Sequence, residues 1–225
     1  MGDRSKVRVV IRWVQFLLGL LGIGAAGALM IRSQLGLGPW DCFHMGIFRL
    51  TGISVGRASI LTGAVVVAGS FLVLVRPEVG TLVNMVVLGL MLDFVLHHLP
   101  VAASWEWGLA YYLLGLAIAG VSTGLYIAAG LGKGPRDGLM VGLAERSGWP
   151  VRRVRTCIEA TVLLLGWLLG GPIGVGTIIY AVCIGPSVQW GMQLFGVIPP
   201  AGPRAAMRVE PVLVPPRRWR WRRAA

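Results

Sequence analysis

The chain has 225 residues, of which 56% are hydrophobic and 13% are charged, and its mean hydropathy is +0.75. Soluble domains carry about 25% charged residues, so this composition excludes an ordinary soluble domain and predicts a protein that lies in the bilayer. The formal net charge of +12 predicts no nucleic-acid partner, because the basic residues lie at the ends of apolar segments and in the tails, where anionic lipid headgroups are nearer.

Long apolar segments follow one another along the chain. A helix needs roughly 20 residues to cross the bilayer, and six segments approach that length: 13–33, 58–75, 79–97, 107–131, 154–170 and 173–195. The first segment resembles a signal peptide, but it is too long for a typical h-region. Its sequence at 17–20 also recurs at 113–116, deep inside the chain. We therefore predict that it is retained as a first span, after a basic N-terminal stretch at 1–12.

The sequence matches itself at an offset of 96 residues, which indicates an internal duplication. GLGPWD at 36–41 corresponds to GKGPRD at 132–137, and the agreement continues on both sides without a gap. Matched pairs outside the motif include Gly24 and Gly120, Gly46 and Gly142, Gly52 and Gly148, Arg57 and Arg153, and Thr81 and Thr177. The two predicted membrane repeats occupy 13–98 and 105–195.

A short segment follows each copy of the GxGPxD motif, at 39–50 and at 135–147. At about 1.5 Å per residue these segments are too short to cross the hydrocarbon, and they carry charged residues. We predict that each is a half-helix, either re-entrant or lying along the interface. If they crossed instead, the chain would have eight spans and the copies would be parallel.

Three crossings per copy is an odd number, so the second copy must enter the membrane from the opposite side. The predicted fold is thus an all-α polytopic membrane protein with six transmembrane helices in two inverted three-helix repeats, each with one half-helix. With the N-terminus inside, the cytoplasmic segments hold most of the basic residues, as the positive-inside rule requires. Both termini are therefore predicted to be cytoplasmic.

The repeated motif predicts the start of a helix. Proline suits the first helical position, and an aspartate two residues later can accept from free backbone N–H groups and complements the helix dipole. A duplicated helix start with no further task is one interpretation. The other is a ligand site, because half-helix N-termini of inverted repeats often meet near the bilayer midplane.

The candidate ligand-binding residues are those of the two motifs and one neighbouring histidine: Pro39, Asp41, His44, Pro135, Arg136 and Asp137. The aspartates neutralise the positive helix ends that an anion would need. A cation, a proton or a zwitterion therefore fits this site better than phosphate does.

Other polar residues within the spans have mainly structural interpretations. Glu159 lies one turn after Arg155 and is expected to pair with it. Asp93 precedes His97 and His98, but adjacent histidines point to different sides of a helix, so no metal site is predicted. The three cysteines lack the spacing of a disulfide frame or a zinc site.

The tail at 196–225 is rich in proline and arginine and ends in RRWRWRR before two alanines. Such a composition argues against a packed element and predicts disorder. Its final residues favour contact with anionic headgroups on the cytoplasmic leaflet, although a solvated tail without a task is an equal alternative.

A resemblance to a known family lies in three stretches: GLGPWDCFHMGIFRLTGISVGRASILTG, RPEVGTLVNMVVLGLMLDF and GPRDGLMVGLAERSGWPVRRVRTCIE. These stretches resemble the YczE/YyaS/YitT group of bacterial integral membrane proteins. The resemblance covers about 13–195 and implies a bacterial inner-membrane protein. It implies no catalytic residues and leaves the tail unexplained.

Two classes of function are favoured over a third, an enzyme. The duplication and the paired half-helices favour a small transporter or channel for a small polar or cationic solute. The alternative is a membrane-embedded regulatory or partner-binding subunit without transport activity. An enzyme is not predicted, since HExxH and P-loop motifs are absent, and no cofactor is predicted. The expected partners are the bilayer and an unidentified small solute, with self-association left open.

Overall fold

The computed structural model describes residues 2–72, 77–132 and 134–199. In these ranges the chain forms helices joined by short turns, with no β-strand. The helices are α1 (Gly2–Arg32), α2 (Pro39–Thr51), α3 (Val55–Leu72), α4 (Val79–His98), α5 (Trp105–Ala129), α6 (Pro135–Ser147), α7 (Val151–Leu168) and α8 (Val175–Leu194). Helix α1 begins well before position 13 because no glycine or proline interrupts residues 3–18. The predicted tail lies outside the described residues from position 200 onward.

Four of the described helices are long and apolar enough to cross a bilayer: Lys6–Arg32, Val79–His98, Trp105–Ala129 and Val175–Leu194. Helices α2 and α3 reach the required length only as a pair, bent by 113°, which is either a broken fifth span or a re-entrant segment. Helix α7 is not among these spans, and it carries Arg152, Arg153, Arg155 and Glu159. Length and apolarity thus support a multi-pass helical membrane protein, and on these criteria the described part has four or five crossings.

Three helices of the first half recur in the second half with bounds 96 residues later. The pairs are Pro39–Thr51 with Pro135–Ser147, Val55–Leu72 with Val151–Leu168, and Val79–His98 with Val175–Leu194. The short helices predicted after both motifs are therefore present, and α2 extends one residue beyond the expected 39–50. Each short helix ends at a left-handed glycine, Gly52 with φ 73° and Gly148 with φ 71°, a position that favours residues without a Cβ.

Helices α1 and α5 pack against each other in antiparallel directions. Near the start of α1, Arg12 Nε donates to Ala129 O at the end of α5 at 2.7 Å. At the other end of the pair, Gly108 approaches so closely that a Cβ on it would lie 2.6 Å from Ser33 O. Small residues allow this separation, as is usual between membrane helices.

The α1–α5 contacts recur between equivalent positions. A Cβ on Gly19 would lie 2.7 Å from Tyr126 Cβ, and a Cβ on the equivalent Gly115 would lie 3.0 Å from Met30 Cγ, where Met30 is the equivalent of Tyr126. Helix α1 also packs on α4 as α5 packs on α8, and α2 packs on α7 as α6 packs on α3. The contacts of one half are therefore largely those of the other.

One pair of helices breaks this agreement. Helix α3 packs closely on α4, where a Cβ on Gly89 would lie 2.5 Å from Ile60 Cγ1 and 2.7 Å from Gly56 O. Helices α7 and α8 have no comparable contact, and among the described residues no atom of another helix lies within 4 Å of a Cβ on Gly185, the equivalent of Gly89. The second half is therefore open where the first half is closed.

Candidate functional site

The two short helices begin in the same way. Gly38 and Gly134 are the residues before the first turns of α2 and α6, each followed by proline, and neither helix has a side-chain cap hydrogen bond. The aspartates lie in the first turns, as predicted. The first-turn backbone N–H groups are therefore available to other partners.

The residues between the proline and the aspartate of the two GxGPxD motifs, Trp40 and Arg136, contact each other. Arg136 lies over the ring of Trp40, with its guanidinium carbon 4.3 Å from the ring centroid. Trp40 is the residue equivalent to Arg136 in the first copy. This cation–π contact brings the N-terminal turns of α2 and α6 face to face.

Both turns border a single cavity of about 380 Å³. Its walls include Asp41 from α2 and Pro135, Arg136 and Asp137 from α6. The two aspartates therefore line the same space although they are 96 residues apart in the chain. Pro39 does not line this cavity and acts as the first residue of α2.

His44 lies behind the cavity wall rather than in it. Its side chain is fully buried, and its Nε2 atom is 3.5 Å from an amino group of Arg136. A guanidinium only donates, so Nε2 accepts and Nδ1 carries the ring proton. Nδ1 has no hydrogen-bond partner among the described residues, and Asp41 Oδ1 is 4.0 Å from it. His44 thus supports Arg136 from behind and faces Asp41.

Further polar groups complete the walls. The phenol of Tyr126 donates to Asp137 Oδ2 at 3.2 Å. Arg155 Nε and Glu159 Oε1 form an ion pair at 2.7 Å, which confirms the predicted pairing of these two residues, and both line the cavity.

Tyr180 and Asn84 are equivalent residues that cover the two helix starts. A Cβ on Gly38 would lie 2.9 Å from the Tyr180 ring, and a Cβ on Gly134 would lie 3.7 Å from Asn84 Oδ1. Only a glycine admits the Tyr180 ring this close. Trp40, Tyr126 and Tyr180 also line the cavity, although none of them was predicted as a site residue. For Trp40 a signal existed, since it fills the motif position equivalent to Arg136.

Asp93 has a structural task away from the cavity. Its carboxylate accepts from Ser54 Oγ at 2.6 Å and from the backbone N–H of Gly56 at 2.7 Å, and so caps the start of α3. His98 bonds through Nδ1 to Phe94 O on its own helix. Asp93 and His98 therefore bond to different partners.

The long apolar helices and their exposed apolar surfaces define the class: a multi-pass helical membrane protein. The chain belongs to the family of unknown function DUF6198, which residues 10–193 match, in agreement with the resemblance seen in the motifs.

Sequence similarity to individual proteins supports this membership. The chain is 39% identical over 189 residues to the uncharacterized membrane protein YczE of Bacillus subtilis, covering 83% of this chain and 88% of that protein. It is 36% identical over 184 residues to an uncharacterized protein of Haemophilus influenzae, covering 82% and 84%. The uncharacterized protein YyaS of Bacillus subtilis is 26% identical over 178 residues, covering 77% and 88%. No solved structure matches the chain.

Proposed function

We propose that the protein is a small transporter of the bacterial inner membrane that carries a small polar or cationic solute through the cavity between α2 and α6. The observation that carries this proposal is the position of Asp41 and Asp137. They come from the two copies of one motif, and both line the same cavity. Helix N-termini that meet inside a membrane protein are a common way of building a transport site.

The proposal includes six crossings in two inverted repeats. Its support is that α1 and α5, which are equivalent helices, run antiparallel. A rotation that places one half of the chain on the other therefore inverts that half with respect to the membrane. Helix α7 then counts as a crossing whose charged residues Arg155 and Glu159 line the cavity. The basic residues at 4–12, at 133–136 and in the tail favour cytoplasmic termini.

A transporter is favoured over a channel by the difference between the halves. The cavity is bordered by α3 and α4, which are packed together, and by α7 and α8, which are not. Alternating access needs two such arrangements of similar elements, with one side closed while the other is open. In the opposite state α7 and α8 would pack and α3 and α4 would separate.

The test is flux into liposomes that contain the purified full chain. Uptake of rubidium ion, methylammonium, choline and leucine is compared with uptake into empty liposomes. We expect uptake of at least one solute, and we expect Asp41→Asn and Asp137→Asn each to reduce it by about tenfold or more, since a charge-assisted contact contributes about 1.5 to 3 kcal/mol.

The control variant is Glu106→Gln, whose carboxylate is exposed at the start of α5 and should leave uptake unchanged. Uptake no greater than in empty liposomes for all four solutes would refute the proposal, as would uptake that both aspartate variants leave intact.

A membrane-embedded partner-binding subunit is the second candidate. It is favoured by the exposed residues Arg152 and Arg153 on α7, because a helix facing lipid rarely carries charged residues. Co-purification of one protein in fixed ratio, lost in an Arg152→Gln/Arg153→Gln variant and unaccompanied by flux, would support this function instead.

A further inference from the structure

Three charged groups of the cavity form no ion pair with one another among the described residues. The ion pairs within 4.0 Å at the cavity and directly behind it are Arg155 with Glu159 and His44 with Asp41. The second is an ion pair only if His44 is protonated, and the hydrogen bond from Arg136 favours the neutral ring. Asp41, Asp137 and Arg136 therefore face one cavity without forming ion pairs with each other.

Such an arrangement is costly inside a membrane. A charge removed from bulk water is stabilised by an opposite charge or by several hydrogen bonds, and ionisable residues within spans usually mark a pathway or a ligand site. The hydrogen bond from Tyr126 to Asp137 and the ring of Trp40 below Arg136 compensate only part of this cost. The remaining part can be met by a ligand that carries both signs of charge.

Arg136 is held in an orientation suited to an acid group. The Trp40 ring lies against the guanidinium on one side, and one amino group of the guanidinium contacts His44. The guanidinium N–H groups that remain can donate in parallel to the two oxygens of a carboxylate. His44 is neutral in this contact, so the positive charge of Arg136 is not cancelled.

We propose that the cavity binds a small zwitterion of the amino-acid type with an apolar side chain. The acid group contacts Arg136, and the ammonium group lies against Asp41 and Asp137. An anion would face both carboxylates, and a simple cation would leave Arg136 unpaired. This inference rests on the proposed function, because it names the substrate class of the same site.

The remaining walls suit an apolar side chain. Four methionines line the cavity: Met30, Met85, Met140 and Met192. Methionine is flexible and adapts to ligands of different shape. A volume of about 380 Å³ corresponds to about a dozen water molecules at about 30 Å³ each, which is room for one small solute.

The test uses ligands that differ by one charged group. Leucine is compared with 4-methylpentanoate, which lacks the ammonium group, and with 3-methylbutylamine, which lacks the carboxylate. Phenylalanine is compared in the same way with 3-phenylpropanoate and phenethylamine. Binding to the full chain in lipid nanodiscs is measured by calorimetry. We expect at least one amino acid to bind about tenfold or more tightly than both of its analogues.

Variants identify which side chains bind the acid group and which bind the ammonium group. Arg136→Gln should remove the preference for the amino acid over the amine, and Asp41→Asn or Asp137→Asn should weaken the preference over the acid. Glu106→Gln should change neither. Because the readout is a ratio of affinities within one variant, a general loss of folded protein does not imitate it.

The results separate this inference from the proposed transport. An amino-acid preference without flux of that same amino acid or of the four solutes above supports the zwitterion site and refutes transport. Flux of rubidium ion or choline, without binding of either amino acid above its analogues, refutes the zwitterion site and leaves transport standing. Equal binding of an amino acid and its amine also overturns the inference.

Discussion

Gly89 and Gly185 hold the same position in the two copies of the chain, yet their surroundings differ. Gly89 lies against Ile60 and the backbone of Gly56, whereas Gly185 faces open space among the described residues. The identity of a residue therefore does not settle how closely it packs. The partner helix does.

This difference predicts opposite outcomes for one substitution. Gly89→Ala should destabilise the protein by about 1 to 3 kcal/mol, because the new methyl group would overlap Ile60 and the Gly56 carbonyl. Gly185→Ala, the matched control, should be neutral. The midpoint of thermal unfolding in detergent is measured for both variants, with the folded fraction monitored by size-exclusion chromatography after heating. Equal midpoints for the two would contradict the observed packing of α3 on α4.

At the scale of elements, α3 begins with a cap supplied from another helix. Asp93 on α4 accepts from Ser54 and from the backbone of Gly56, so it joins the first turn of α3 to α4 and complements its dipole. The residue equivalent to Asp93 is Gln189, which is exposed on α8. The start of α7 thus lacks the corresponding tie, in keeping with the separation of α7 from α8.

Asp93→Ala should therefore lower the free energy of unfolding by about 1 to 3 kcal/mol, because the Ser54 hydroxyl and the Gly56 N–H lose their acceptor. Asp93→Asn should cost less, since the amide oxygen can still accept from Gly56. Gln189→Ala is the matched control and should have no effect. Chemical unfolding in detergent gives the measurement, and an equal loss for Gln189→Ala would show that the cap is unimportant.

At the scale of the whole molecule, the proposed inverted arrangement makes a prediction about sidedness. Thr51 and Ser147 are the last residues of α2 and α6 and are equivalent in the two copies. Single cysteines at these positions, in a chain with Cys42, Cys157 and Cys183 replaced by alanine, should react with an impermeant maleimide from opposite sides of the membrane. Labelling of both from the same side would contradict inverted repeats and favour parallel copies.

Cross-linking tests the open and closed sides of the cavity. A Cβ on Gly63 lies 3.6 Å from Met85 Cβ, within the range of about 3.5 to 4.5 Å found in disulfides. Gly63→Cys with Met85→Cys, in the same cysteine-replaced background, should therefore cross-link rapidly between α3 and α4.

The pair across the open side is Thr156→Cys with Gly185→Cys, equivalent to Ile60 and Gly89. It should cross-link slowly, only when α7 and α8 close, and its rate should rise with the transported solute present. Gel mobility under oxidation measures both rates. A second pair that never cross-links while flux continues would exclude alternating closure of these helices.

The sequence by itself determined the membrane class, the duplication and, to within one residue, the bounds of both short helices. These follow from local patterns, since apolar length decides which segments enter lipid and a Gly-Pro start followed by a C-terminal glycine delimits a helix. The aspartates and Arg136 were identified because they lie in the repeated motif. Tertiary structure alone decided that these residues face one cavity, that Trp40 lies below Arg136, and that Tyr126 and Tyr180 complete the walls.

The asymmetry between the halves was also beyond the reach of the sequence. Gly89 and Gly185 are the same amino acid at equivalent positions, and no local pattern states whether a neighbouring helix approaches. Helix packing sums many weak contacts between distant segments, and two packings of similar helices differ little in free energy. The physical reason is the sequence separation of the interactions. Local patterns specify helices, whereas contacts between residues far apart in the chain determine the cavity and the side on which it opens.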